Sequence, residues 1–140
     1  MNMTITRKIM GLLALVVLVL TTTSVTAAEE HHARASLVSV GNSGVTGTVN
    51  IEQLPHGGTN IHVVAQGLTP GNDYLSLYYE NHTCALEPYS EDDVIGTYTA
   101  NAAGVGVTHG KLEDDLDEIN SVSVRRASDF ALVACADIHP

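Results

Sequence analysis

Tryptophan is absent from this 140-residue chain, phenylalanine occurs once, and five tyrosines supply the remaining aromatics. Positive charge is scarce: six Lys and Arg stand against sixteen Asp and Glu. Two of those cations, Arg7 and Lys8, precede an apolar segment at the N-terminus. Past that segment only Arg34, Lys111, Arg125 and Arg126 remain, giving a net charge of −12 with histidines neutral. Such a surface repels phosphate backbones and anionic lipid heads. Neither nucleic acid nor a membrane surface is therefore expected as a partner, which leaves an unidentified protein or small ligand. No Ser-His-Asp triad, phosphate loop or catalytic carboxylate pair is legible. No internal repeat or low-complexity linker divides the chain.

The N-terminus reads as a secretory signal. Arg7 and Lys8 form the charged region, Met10 to Leu20 (MGLLALVVLVL) the apolar region, and Ser24-Val-Thr-Ala-Ala28 the small-residue cleavage site. The apolar run falls short of the roughly 18 residues needed to span a bilayer, so cleavage after Ala27 or Ala28 is favoured over anchoring. No cysteine follows it directly, which disfavours a lipoprotein anchor. Residues 1–28 are thus expected to be removed. Residues 29–140 then form one exported domain, secreted or periplasmic.

Only two cysteines occur, Cys84 and Cys135. In an oxidising compartment the default reading is one disulfide. It would close a loop of about 50 residues and add about 4 kcal/mol in the chain-entropy model. A metal or redox pair is disfavoured, because the spacing is neither C-x-x-C nor part of a four-ligand set.

Eight short strands are expected. Ala35–Val40 is the first, after a polar start at Glu29–His32, and Gly41-Asn-Ser-Gly44 turns it back. Val45, Gly47, Val49 and Ile51 then alternate with Thr46, Thr48, Asn50 and Glu52. Asn60–Gln66, Tyr74–Glu80, Val94–Ala100, Val105–Gly110, Ser121–Arg126 and Phe130–Ile138 supply the rest. Asn101-Ala-Ala-Gly104 is expected to join the fifth and sixth strands as a hairpin. Asn81–Asp93 reads as a loop tied down by a disulfide. In the acidic segment Lys111–Asn120, Leu112, Leu116 and Ile119 stand at helical spacing and predict a turn or two of helix. The segment lacks the order of an EF-hand loop, so a solvated connection is favoured over a calcium site. Many short strands with almost no helix predict an antiparallel β-sandwich or barrel.

Several stretches together resemble the Cu/Zn superoxide dismutases. Ala35–Gln53 (ASLVSVGNSGVTGTVNIEQ) is similar to their first hairpin. Gly67-Leu-Thr-Pro-Gly71 is similar to their GLTxG corner, and Asn101–Gly110 (NAAGVGVTHG) to a later hairpin. Leu132-Val-Ala-Cys135 resembles the segment with their second disulfide cysteine, and Cys84 sits where the first would be. The resemblance spans almost all of residues 29–140. It implies an all-β fold, a Greek-key eight-stranded β-barrel of the dismutase type.

The catalytic pattern of that family does not carry over. Its fourth strand bears an H-x-H pair, and alignment on the corner puts Ser76 and Tyr78 there. Neither is a good copper ligand. The long metal-binding loop that the resemblance implies is here about a dozen residues with one histidine, His82. The position of the family's substrate-guiding arginine holds Leu132. Arg125 and Arg126 lie nearby, but adjacent strand residues point to opposite faces.

Other histidines offer alternatives. His31 and His32 could bind copper or zinc in a polar tail. If cleavage follows Ala28, the new terminus places His31 third, an arrangement that suits copper(II). His82 and His139 flank the two cysteines and, with Glu80 or Asp137, would make a zinc site. His56, in a Gly-rich turn, reads as solvent-exposed, and His62 and His109, on strands, as surface or cross-strand residues. One of Tyr78 and Tyr79 is expected in the core and the other exposed. Asn81-His-Thr83 fits a glycosylation sequon. The expected function is an exported dismutase-like barrel without dismutase activity and without a cofactor, serving as a binding or structural module. The alternatives are a divergent copper-dependent dismutase, and a copper or zinc carrier using His31, His32, His82 or His139.

Overall fold

Alternation with a period of two builds most of the structure, a computed structural model that describes residues 31–140. The expected signal segment, with its cleavage site, lies outside the described residues. Eight antiparallel strands are observed: β1 (His32–Ser39), β2 (Thr46–Gln53), β3 (Thr59–Gln66), β4 (Asp73–Tyr79), β5 (Val94–Thr99), β6 (Gly106–Leu112), β7 (Ser121–Arg126) and β8 (Leu132–Asp137). Their order is β5-β4-β7-β8-β1-β2-β3-β6. The neighbours β3–β6 and β4–β7 are not consecutive in sequence, and these are the Greek-key crossovers. The result is a nearly closed eight-stranded all-β barrel, one of the two architectures the strand count predicts and the one the resemblance implies. Among the described residues no helix is long and apolar enough to cross a membrane.

The barrel interior takes one residue in two from each strand. Val49 and Ile51 of β2, Ile61, Val63 and Ala65 of β3, Val122 and Val124 of β7, and Ala134 and Ala136 of β8 are all buried in one cluster. Each larger apolar side chain contributes about 1.5–3 kcal/mol on burial. The alternate residues of β3, Asn60, His62, Val64 and Gln66, face outward.

Strand β1 begins earlier than its sequence suggests. His32 pairs with Glu52 and Ala33 with Ile51, so the polar start is held by the ladder to β2. At its other end β1 changes partner: Val38 and Ser39 pair with Cys135 and Ala134 of β8. This handover joins the two halves of the barrel.

The expected hairpin of β5 and β6 is not formed as a ladder. The turn is present, with Asn101 N–H bonded to Val105 O at 2.9 Å and Gly104 N–H to Asn101 O at 3.0 Å. Beyond it β5 pairs with β4, and β6 pairs with β3. The corner Gly67–Gly71 accounts for the separation. Leu68 N–H bonds Gly104 O at 3.0 Å, and Gly71 N–H bonds Ala100 O at 2.9 Å. The corner thus occupies backbone groups on which the hairpin would build. The two strands still abut across the seam. A Cβ on Gly110 would collide with the carbonyl oxygen of Ile95. Glycine at this position is what lets the two backbones approach.

The acidic segment forms a single 3-10 turn, Leu116–Glu118, rather than an α-helix. Its apolar residues do share a buried side: Leu112, Leu116 and Ile119 all join the interior cluster. Gln53 fastens the segment to β2, donating from Nε2 to Asp115 Oδ1 at 2.8 Å and accepting from Leu116 N–H at 2.6 Å.

Candidate functional site

Strand β4 carries Ser76 and Tyr78, the positions that the sequence resemblance sets against a metal-binding imidazole pair. Its period of two sends Tyr74, Ser76 and Tyr78 to the barrel interior and Leu75, Leu77 and Tyr79 to the opposite face. Tyr74 and Tyr78 belong to the interior cluster. Ser76 is fully buried and shares a 2.9 Å hydrogen bond with the Tyr98 hydroxyl. Burial pushes the Tyr98 phenol up to about 12, against the lowering effect of that bond. The Tyr78 phenol is also raised above its ordinary value, first by burial and then by the Asp114 and Asp93 carboxylates. Ser76 and Tyr78 thus share the interior face of β4: Ser76 is hydrogen-bonded there, while Tyr78 also lines a groove with Glu80, Glu87 and Asp93.

The other face of β4 lies under the 80–93 loop. Leu77, Tyr79 and Cys84 are buried together, with Leu75, Val94, Phe130, Leu132 and Cys135 packed around them. Tyr79 is only 1 % exposed. The expectation that one of Tyr78 and Tyr79 is exposed is therefore corrected: both are buried, in different clusters. The loop supplies the second cover, and a loop has no period from which burial can be read. Leu132, aligned with a guiding arginine, packs into the same cluster.

The disulfide expected between Cys84 and Cys135 is present. Cys84 adopts a left-handed backbone with φ 54°. Its N–H donates to Ser121 Oγ at 3.1 Å. Its carbonyl accepts from Arg125 Nη2 at 2.8 Å. Arg125 also donates from Nε to Tyr79 Oη at 2.9 Å and from Nη1 to Phe130 O at 2.9 Å. Its guanidinium lies 5.1 Å from the Phe130 ring centroid and 5.9 Å from that of Tyr79. Such cation–π contacts stabilise a desolvated guanidinium. Arg126 points the other way and forms an exposed ion pair with Asp129 at 2.9 Å.

Asn81 organises the loop ahead of the cysteine. Its Oδ1 accepts from the N–H groups of Thr83 and Ala85, each at 3.0 Å. Its Nδ2 donates to Ala85 O at 2.8 Å and Glu87 Oε2 at 3.1 Å. The sequon asparagine is thus a loop brace. A glycan on Nδ2 would compete with these bonds.

The histidines are dispersed. His82 Nδ1 lies 2.8 Å from Asp137 Oδ1. His139 Nε2 donates to Leu116 O at 3.1 Å. It lines a groove of about 580 Å³ shared with His31, Asp115 and Asp117. His139 therefore shares a groove with His31, and the close partner of His82 is Asp137. His32 lies on the outer face of β1, opposite Glu52. His62 of β3 and His109 of β6 are directly opposite each other. Sequence reasoning placed both on strands but missed their pairing, which only the β3–β6 register reveals. Among the described residues no group of three or more His, Cys, Asp or Glu is arranged to hold a metal ion.

No protein-family model matches this chain, and no curated protein matches it.

Proposed function

We propose that the chain is an exported barrel of the superoxide dismutase kind without dismutase activity, acting as a binding or structural module. The observation that carries this reading is the side-chain content of β4. On the face under the disulfide loop stand Leu75, Leu77 and Tyr79, packed against Cys84 and Phe130. On the interior face stand Ser76 and Tyr78, both buried. Dismutation needs a redox metal held with a position open to superoxide. Neither face of β4 supplies an imidazole for it. The disulfide agrees with an oxidising compartment, and the leader-like N-terminus with export. The 80–93 loop offers the contact surface for a binding role. Leu86 and Tyr89 are 55 % and 50 % exposed there, and Tyr89 stacks on Phe130.

The experiment is to load the mature protein with copper and zinc and measure both bound metal and superoxide removal. The reading expects no superoxide removal above buffer once free copper is chelated. Chelator-resistant removal proportional to bound copper would overturn it in favour of a divergent copper dismutase.

A further inference from the structure

We propose that His62 and His109 form a cross-strand site for a divalent ion of the zinc and copper class, on the outer face of the sheet. The register places them directly opposite each other on neighbouring antiparallel strands. Residues so paired hold their Cβ atoms about 4.5–5.5 Å apart. Two imidazoles at that separation converge on one ion with bonds of about 2.0–2.1 Å. The flanking inward residues, Ile61, Val63 and Thr108, are buried, so each histidine is held outward by the pleat. Both histidines are exposed. Among the described residues, the histidine hydrogen bonds are those of His82 and His139, so both rings at this site keep free nitrogens.

The surroundings fit a weakly screened, incomplete ligand shell. His62 and His109 line one groove of about 460 Å³ that also contains Glu52 and His32. Glu52 pairs with Asn60, two residues from His62 on the same face. Its carboxylate is therefore diagonal to His62, within reach of a long side chain. The two imidazoles are the direct ligands, Glu52 adds nearby negative charge, and water would complete the ion's coordination, because no third residue among those described is arranged as a ligand. Imidazole donors favour zinc, copper and nickel over magnesium and calcium, which prefer oxygen. Two charges oppose the site: Lys111 follows His109 by two residues on the same face, opposite Asn60, and Arg34 lines the same groove, paired with Asn50, the β2 partner of His62. The site lies on β3 and β6 and uses neither β4 nor the disulfide loop. Its failure would leave the function proposed above untouched.

The test is zinc titration of the mature chain by calorimetry, with His62→Asn and His109→Asn variants and with a variant whose other five histidines are Asn. The five-fold variant should keep one zinc per chain. Each single substitution should weaken zinc binding at this site at least tenfold while leaving the metal-free melting temperature within a few degrees. Lys111→Gln should tighten binding, and Glu52→Gln should weaken it. In case the five-fold variant does not fold, the imidazole proton signals of the intact chain give the same answer. Those of His62 and His109 should shift together on addition of one equivalent of zinc. Unchanged zinc affinity in both single variants, or zinc-induced shifts confined to other histidines, would overturn the proposal.

Discussion

Arg125 Nη2 donates a 2.8 Å hydrogen bond to the carbonyl oxygen of Cys84, across 41 residues of chain. Arg125 is 5 % exposed, and among the described residues it has no carboxylate within ion-pair distance. Its charge is accommodated by three oxygen acceptors and two aromatic faces. A buried cation without a counter-charge is costly in itself. What it returns is a connection between β7, β4, the 80–93 loop and the turn that leads into β8.

Replacing Arg125 by Met leaves the Cys84 and Phe130 carbonyls and the Tyr79 hydroxyl without that donor. Each orphaned buried group costs about 1–3 kcal/mol, partly offset by removal of the desolvated charge. A net loss of about 2 kcal/mol is expected in urea unfolding. Arg125→Lys should not restore the loss, because an ammonium cannot reach three divergent acceptors with the geometry of a planar fork.

The Cys84–Cys135 bridge spans 51 residues. Loop entropy assigns it about 4 kcal/mol. The Cys84→Ser, Cys135→Ser double variant should lose about that much stability. Reductant should lower the unfolding midpoint of the wild-type protein and leave that of the double variant unchanged.

Gly110 faces the Ile95 carbonyl where β5 and β6 meet without a ladder. Gly110→Ala should cost about 1–3 kcal/mol, the usual range for overpacking. Gly41→Ala is a useful contrast. Its added Cβ meets nothing within 4 Å, and only its φ of 60° opposes the change. It should cost about 1 kcal/mol, the strain of a left-handed backbone alone. Denaturant midpoints of the two variants compare them.

Asp115 accepts from Gln53 Nε2 and from Gly58 N–H, and these bonds hold its carboxyl below the ordinary 3.8. A depressed folded value means its stabilising contribution is complete above the ordinary value and is lost as pH falls through the lower folded one. Thermal unfolding from pH 7 to pH 2 should therefore show a smaller acid-induced loss for Asp115→Asn than for the wild-type protein. Asp129, lowered by Arg126 and by the Ala131 N–H, titrates with the same sign, so part of the loss should persist in that variant.

Much of the barrel was readable because its strands alternate cleanly. The bounds of β7 match their reading, and β2 and β3 match to within a residue. Local signals fail where long-range pairing decides. Asn101-Ala-Ala-Gly104 does mark a turn, but nothing in it says that β5 leaves for β4 and β6 for β3. The polar His32 gave no sign that Glu52 would pair with it. At the candidate site the disulfide was legible from compartment and count. The burial of Tyr79 and Arg125 was not, because a non-periodic loop provides their cover. The facing of His62 and His109 depends on a register between strands far apart in sequence, which no local pattern encodes.

The most direct test of the central claim is the rate of superoxide removal per bound copper, measured by stopped flow on the copper- and zinc-loaded mature chain in excess chelator. The account predicts a rate indistinguishable from buffer, for the wild-type protein and for the His62→Asn, His109→Asn double variant alike. A chelator-resistant rate that scales with bound copper in either protein would contradict it.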